Sequence, residues 1–116
     1  MAHPELQIKR VYAEPSPEDG KRILVDRLWP RGLTKQKAKV DLWLKDVAPS
    51  NELRKWFAHD PKKWPEFERK YIDELKTVGV PLAQLRQQVS QGKVTLLYGA
   101  RDEQHNEAVV LLGMLH

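Results

Sequence analysis

The segment Arg22-Ile23-Leu24-Val25-Asp26-Arg27-Leu28-Trp29-Pro30-Arg31-Gly32 sets a carboxylate, two guanidiniums and an indole at the end of an apolar run. Side chains alternate faces along a strand. A strand over 22–29 therefore groups Ile23, Val25, Arg27 and Trp29 on one face and Leu24, Asp26 and Leu28 on the other. A half-buried aspartate between two leucines needs a partner or a raised pKa, and Arg27 and Arg31 are the nearest guanidiniums. Asp26 is thus a candidate general base, metal ligand or structural anchor. Arg27 and Arg31 suit bidentate recognition of a phosphate or carboxylate, or else clamp Asp26 and Asp41 across a loop. Trp29 ends the strand and is the tryptophan placed to wall a site, whereas Trp43, Trp56 and Trp64 fall on expected core faces.

A second polar group follows the run Val94-Thr95-Leu96-Leu97-Tyr98, where Tyr98, Arg101, Asp102, His105 and Asn106 lie within nine residues. A helix opening at Asp102 would offer free amides to an anion, although Asp102 and Glu103 can satisfy those amides as ordinary caps. His105 is the candidate proton carrier of this group. His59 could converge with it on a metal or proton-transfer site, but no His-x-x-His or His-Glu-x-x-His spacing exists and His3 and His116 are terminal. No metal site is assigned, and no second carboxylate stands at a recognised spacing from Asp26. Phosphate-binding glycine loops, Gly-x-Ser-x-Gly elbows and dinucleotide fingerprints are absent, so no cofactor is named by a motif.

The elements that must position these groups follow from hydrophobic periodicity. Glu5–Tyr12 reads as a first strand, broken by Pro15-Ser16-Pro17-Glu18-Asp19-Gly20, and Arg22–Trp29 as a second. Lys39–Leu44 fits either a short strand or a loose helical turn. Ser50 caps a helix carrying Leu53, Trp56 and Phe57 and stopping near Ala58. A second helix places Trp64, Phe67, Tyr71, Ile72 and Leu75 on one stripe, with Pro65 tolerable in its first turn. Pro81 opens a third, which Gly92 should end in the left-handed conformation. Val94–Tyr98 is a strand covered on both faces, and the last helix runs from Asp102 to about Leu115.

Strands separated by helices, with a long crossover between the second and third, predict an α/β fold: a small three-layer domain with a mostly parallel sheet flanked by helices. The 116 residues fit one domain spanning 1–116. A 41% hydrophobic and 31% charged composition is that of a globular chain. No membrane-length apolar run and no signal pattern at Met1–Glu5 are present, so a cytoplasmic location without membrane contact is expected. The absence of cysteine excludes disulfides, thiolate metal sites and a thiol nucleophile. Net charge is +4, and the excess lies in residues 1–39, where nine Lys or Arg face five Asp or Glu. A positive potential around Arg27, Arg31, Lys35, Lys37 and Lys39 should attract anions.

Lys9-Arg10-Val11-Tyr12, Pro15 to Gly20, Val25 to Gly32, Ala48-Pro49-Ser50, Leu53 to Phe57 and His59-Asp60-Pro61 together resemble the bacterial and archaeal domain of unknown function 488 family, short branch. The closing segments Thr95 to Tyr98, Arg101 to Glu103, His105-Asn106 and Ala108 to Leu111 look like that family's last strand and helix. The resemblance implies a small three-layer α/β domain and no established activity. Longer relatives carry a cysteine where this chain has Tyr98, followed by a Cys-His-Arg-like group near His105 and Asn106. Their thiol chemistry does not transfer, and Pro65 interrupts a position that usually reads as a helix former.

In parallel α/β sheets ligands gather at the carboxyl ends of the strands. If the two polar segments meet there, the expected function is binding or conversion of a small phosphate- or carboxylate-bearing ligand. Arg27, Trp29, Arg31, Tyr98, Arg101 and Asn106 would hold it, and Asp26 and His105 would move protons. The alternatives are a nucleic-acid-binding module, motivated by a pI near 9.4 and Trp29 as a stacking ring, and a protein-interaction module without catalysis.

Overall fold

A computed structural model describes residues 5–115, so His3 and His116 lie outside the described residues. Four strands, β1 (Leu6–Arg10), β2 (Lys21–Leu24), β3 (Leu42–Trp43) and β4 (Val94–Tyr98), form one sheet in the order β1-β4-β2-β3. Every pairing is parallel, with Leu24 opposite Leu97 and Arg10 opposite Tyr98. β4 is central and buried along its whole length, as its unbroken apolar run requires. The helices are α1 (Lys35–Ala38), α2 (Asn51–Phe57), α3 (Trp64–Leu75), α4 (Val80–Gln91) and α5 (Glu107–Leu115). Among the described residues no helix is long and apolar enough to cross a membrane.

Helices α2 to α5 cover one face of the sheet, where Phe67, Tyr71, Leu75, Leu85, Val89 and Leu111 meet Ile23, Val25, Leu96 and Tyr98 in the main core. The opposite face is closed by Ala38 of α1 and by Trp29, Leu33 and Val40, packed on Val11, Leu24 and Leu97. These are the three expected layers. A polar row crosses the second face at the amino ends of the strands. There the buried Asp19 carboxylate accepts from Arg22 Nη1 at 2.5 Å and Lys9 Nζ at 3.1 Å, and the Thr95 hydroxyl donates to the Asp19 carbonyl at 2.6 Å.

Local chemistry sets the element ends. Ser50 Oγ accepts from Leu53 N at 3.1 Å, capping α2, and Glu74 of α3 holds Ser50 through its amide (2.9 Å) and hydroxyl (2.6 Å). Ala58 ends α2 in the left-handed conformation at φ 47°. Pro65 lies in the first turn of α3, where a missing amide hydrogen costs nothing.

Three sequence expectations need correction. The second strand stops at Leu24, not Trp29, because residues 26–34 turn away, held by side-chain to backbone bonds from Trp29 to Leu33 and from Trp43 to Asp26. Asp26 therefore leaves from a loop rather than from a strand face. Of the two readings of Lys39–Leu44 the short strand holds, confined to Leu42–Trp43 paired with β2. Gly92 is extended, at φ 163°, rather than left-handed. Finally, α5 begins at Glu107, because Asp102 Oδ1 closes its own turn by accepting from Gln104 N (2.9 Å) and His105 N (3.0 Å).

Candidate functional site

The pairing of β2 with β4 brings the two polar segments together at the carboxyl ends of the strands. A cavity of about 240 Å³ opens there, and Asp26, Arg27, His105, Asn106 and Glu107 contribute to its wall. This lies just below the ~300–1,000 Å³ of pockets for drug-sized molecules, and so suits a metabolite-sized ligand. Leu28, Ala48, Pro49, Phe57, Phe67 and Ala100 supply its apolar surface, while Arg54 and His59 complete the basic part.

Asp26 is the pivot. Its Oδ2 accepts the Gly99 amide hydrogen at 2.8 Å, tying the loop after β2 to the turn after β4. The Trp43 indole donates to the Asp26 carbonyl at 2.7 Å, so both the backbone and the side chain of this residue are fixed. A Cβ at Gly99 would stand 2.9 Å from Asp26 Oδ2, a separation at which something must move. Gly99→Ala is therefore expected to cost about 1–3 kcal/mol by overpacking and to loosen Asp26. Urea unfolding measures the loss; unchanged stability would show that the loop yields freely.

Glu107, the first residue of α5, is half-buried in the cavity wall beside Asp26. Burial pushes its carboxyl well above the usual range, and the hydrogen bond and negative charge of Asp26 push the same way. Sequence spacing missed this pair. The signal available was an acid directly after Asn106, a residue type that caps helices, and directly before the buried Ala108.

The basic groups reach the cavity by separate routes. Arg27 Nε donates to the Pro49 carbonyl at 3.1 Å and Nη2 to the Ala48 carbonyl at 3.3 Å, which positions the cation without neutralising it. Arg54 is exposed on α2. His59 is held at φ 58° just past the end of α2. His105 Nδ1 lies 2.8 Å from Asp102 Oδ2, and its ring meets the Trp64 edge with centroids 5.2 Å apart. Hydrogen bonds from the Gln104 amide, above all, and from His105 hold the Asp102 carboxyl below its ordinary range. His59 and His105 thus share one cavity, but no three His, Cys, Asp or Glu gather as a metal set among the described residues.

The other residues expected to bind ligand stand elsewhere. Arg31 is exposed and does not line the cavity; its carbonyl accepts from Tyr12 Oη at 2.9 Å. Trp29 donates to the Leu33 carbonyl at 2.7 Å and packs edge-on against Trp43, so its ring closes the second core. Tyr98 is 2% exposed within the main core, where burial raises its phenol pKa. Arg101 is exposed outside the cavity. Asn106 does reach the wall, yet its amide is occupied: Oδ1 accepts from Val109 N at 3.1 Å and Nδ2 donates to the Asp102 carbonyl at 2.9 Å. It is the cap of α5.

Comparison with known proteins gives relatives along nearly the whole chain. The uncharacterized protein Rv3073c of Mycobacterium tuberculosis is 40% identical over 111 residues, covering 96% of this chain and 93% of its own. The uncharacterized protein YeaO of Escherichia coli is 40% identical over 110 residues, covering 95% of this chain and 96% of its own. No solved structure matches the chain. The family described as the inactive DUF488-N3 subclade matches residues 5–116, and the chain belongs to it.

Proposed function

We propose that this protein binds a small phosphate- or carboxylate-bearing ligand in the cavity at the carboxyl ends of β2 and β4. The observation that carries this reading is Arg27. Its guanidinium is anchored by backbone carbonyls rather than by a carboxylate, and no ion pair of Arg27 or Arg54 occurs among the described residues. A positioned, uncompensated guanidinium beside a cavity is suited to an anion. The description of the subclade as inactive favours binding over turnover. Asp26 and His105 are accordingly assigned to ligand contact and cavity shape, not to a chemical step.

Nucleic-acid binding has less support. Arg31, Lys35 and Lys37 are exposed, but Trp29, the ring that would stack on a base, is committed to Trp43 and Leu33.

Thermal denaturation and calorimetry with inorganic phosphate, phosphomonoesters and short carboxylic acids test the reading. At least one probe should raise the melting temperature of the wild type. Arg54→Ala, at an exposed position, should weaken that probe roughly tenfold or more, as loss of a charge-assisted contact does. No shift with any anionic probe, or wild-type affinity retained in both Arg54→Ala and Arg27→Lys, would overturn it.

A further inference from the structure

The cavity wall carries two guanidiniums, Arg27 and Arg54, and two carboxyls, Asp26 and Glu107, that do not pair with each other. Among the described residues no salt bridge includes any of the four. Charged groups gathered in a partly dry space normally pair, because each left alone keeps its desolvation cost. Here the backbone prevents it. The Ala48 and Pro49 carbonyls draw the Arg27 guanidinium to their side, and the Gly99 amide holds Asp26 at the other.

The chemistry of the carboxyl pair narrows what can satisfy it. Asp26 Oδ2 is taken by the Gly99 amide, and among the described residues no salt bridge supplies a cation to either carboxyl. Their remaining oxygens accept hydrogen bonds. A purely anionic ligand would satisfy the arginines and leave these acceptors facing its own negative charge. A ligand with a donor group at its far end satisfies both.

We infer that the cavity takes a small bipolar ligand, with a carboxylate or phosphate on Arg27 and Arg54 and an amine or other N–H donor group on Asp26 and Glu107. This rests on the anion-binding reading and adds the second pole. It also explains why an acid pair stands in a cavity otherwise suited to anions. The pair selects against ligands that carry the anion alone, which is discrimination by an unfavourable contact.

Calorimetric titration of the full chain with matched probes tests this. β-Alanine, 4-aminobutyrate and 2-aminoethylphosphonate carry both poles, whereas propionate, butyrate and ethylphosphonate carry only the anion. At least one amino probe should bind about tenfold or more tightly than its amine-free partner. Glu107→Gln, which keeps the shape and removes the ionisable group, should collapse that preference, and Asp26→Asn provides an independent second variant. Arg54→Ala should instead weaken both members of a pair alike. Amine-free probes that bind as well as their amino partners would overturn the bipolar assignment and leave anion binding intact. Failure of both sets would overturn both.

Discussion

Asp19→Ala should cost about 3–5 kcal/mol at neutral pH, the usual penalty for breaking one side of a buried ion pair. The Asp19 and Arg22 side chains are only 3% and 5% exposed. Arg22 is further fixed by the Ala38 carbonyl at 2.8 Å and the Lys39 carbonyl at 3.0 Å, so its guanidinium cannot swing out to water when the carboxylate is removed. Burial alone would raise the Asp19 pKa. Hydrogen bonds from the Ser16 amide, Lys9 and Arg22 outweigh it and hold the carboxyl below its ordinary range. A lowered folded-state value means that the stabilisation is complete above the unfolded pKa of about 3.9 and is lost as pH falls through the folded one. Urea unfolding should therefore separate wild type from Asp19→Ala widely at pH 7, and the gap should shrink below about pH 4. A gap that is small at pH 7, or independent of pH, would show that Arg22 finds another partner.

Glu107→Gln should do the opposite. A carboxyl whose folded pKa lies above its unfolded value favours the fold fully below about pH 4.3, the unfolded value. Its contribution is lost as pH rises towards the folded pKa, because the unfolded chain releases its proton first. One such group costs about 1.4 kcal/mol per pH unit across that window. Glutamine keeps the shape and does not titrate. The variant should therefore gain on wild type steadily as pH rises above about 4.3, by roughly that slope. Parallel stability curves from pH 4 to 8 would show that the carboxyl pair is fully hydrated. Asp26→Asn, which removes the neighbouring negative charge that helps raise the Glu107 pKa, should flatten the same part of the curve.

Much of this fold is legible in the residues because local and global preferences agree. Val94–Tyr98 reads as a covered strand and is one; Ser50, Ala58 and Pro65 mark helix ends where the structure has them. The site is legible only in part. Asp26 and Arg27 could be singled out because charge directly after an apolar strand is costly without a purpose. Arg31 and Trp29 are similar by type but lie past Leu24 in a loop where strand alternation no longer holds, and Tyr98, still within β4, turns into the core. Glu107 is hidden from spacing arguments for the complementary reason. With the last helix assumed to open at Asp102, residue 107 falls in a helix interior, whereas the actual start at Glu107 aims it at a residue 81 positions earlier. Such a meeting depends on where β2 and α5 end, which no local pattern encodes.

The loop from Asp26 to Leu33 is held by the indole of Trp43, the Gly99 amide, the carbonyls of Ala48 and Pro49, and the phenol of Tyr12. Its ordering entropy is therefore lost during folding, and the ligand proposed above would not incur it again. A cavity wall preorganised in this way would let weak, few-atom contacts register as measurable affinity, since little of their energy is diverted to stiffening the protein.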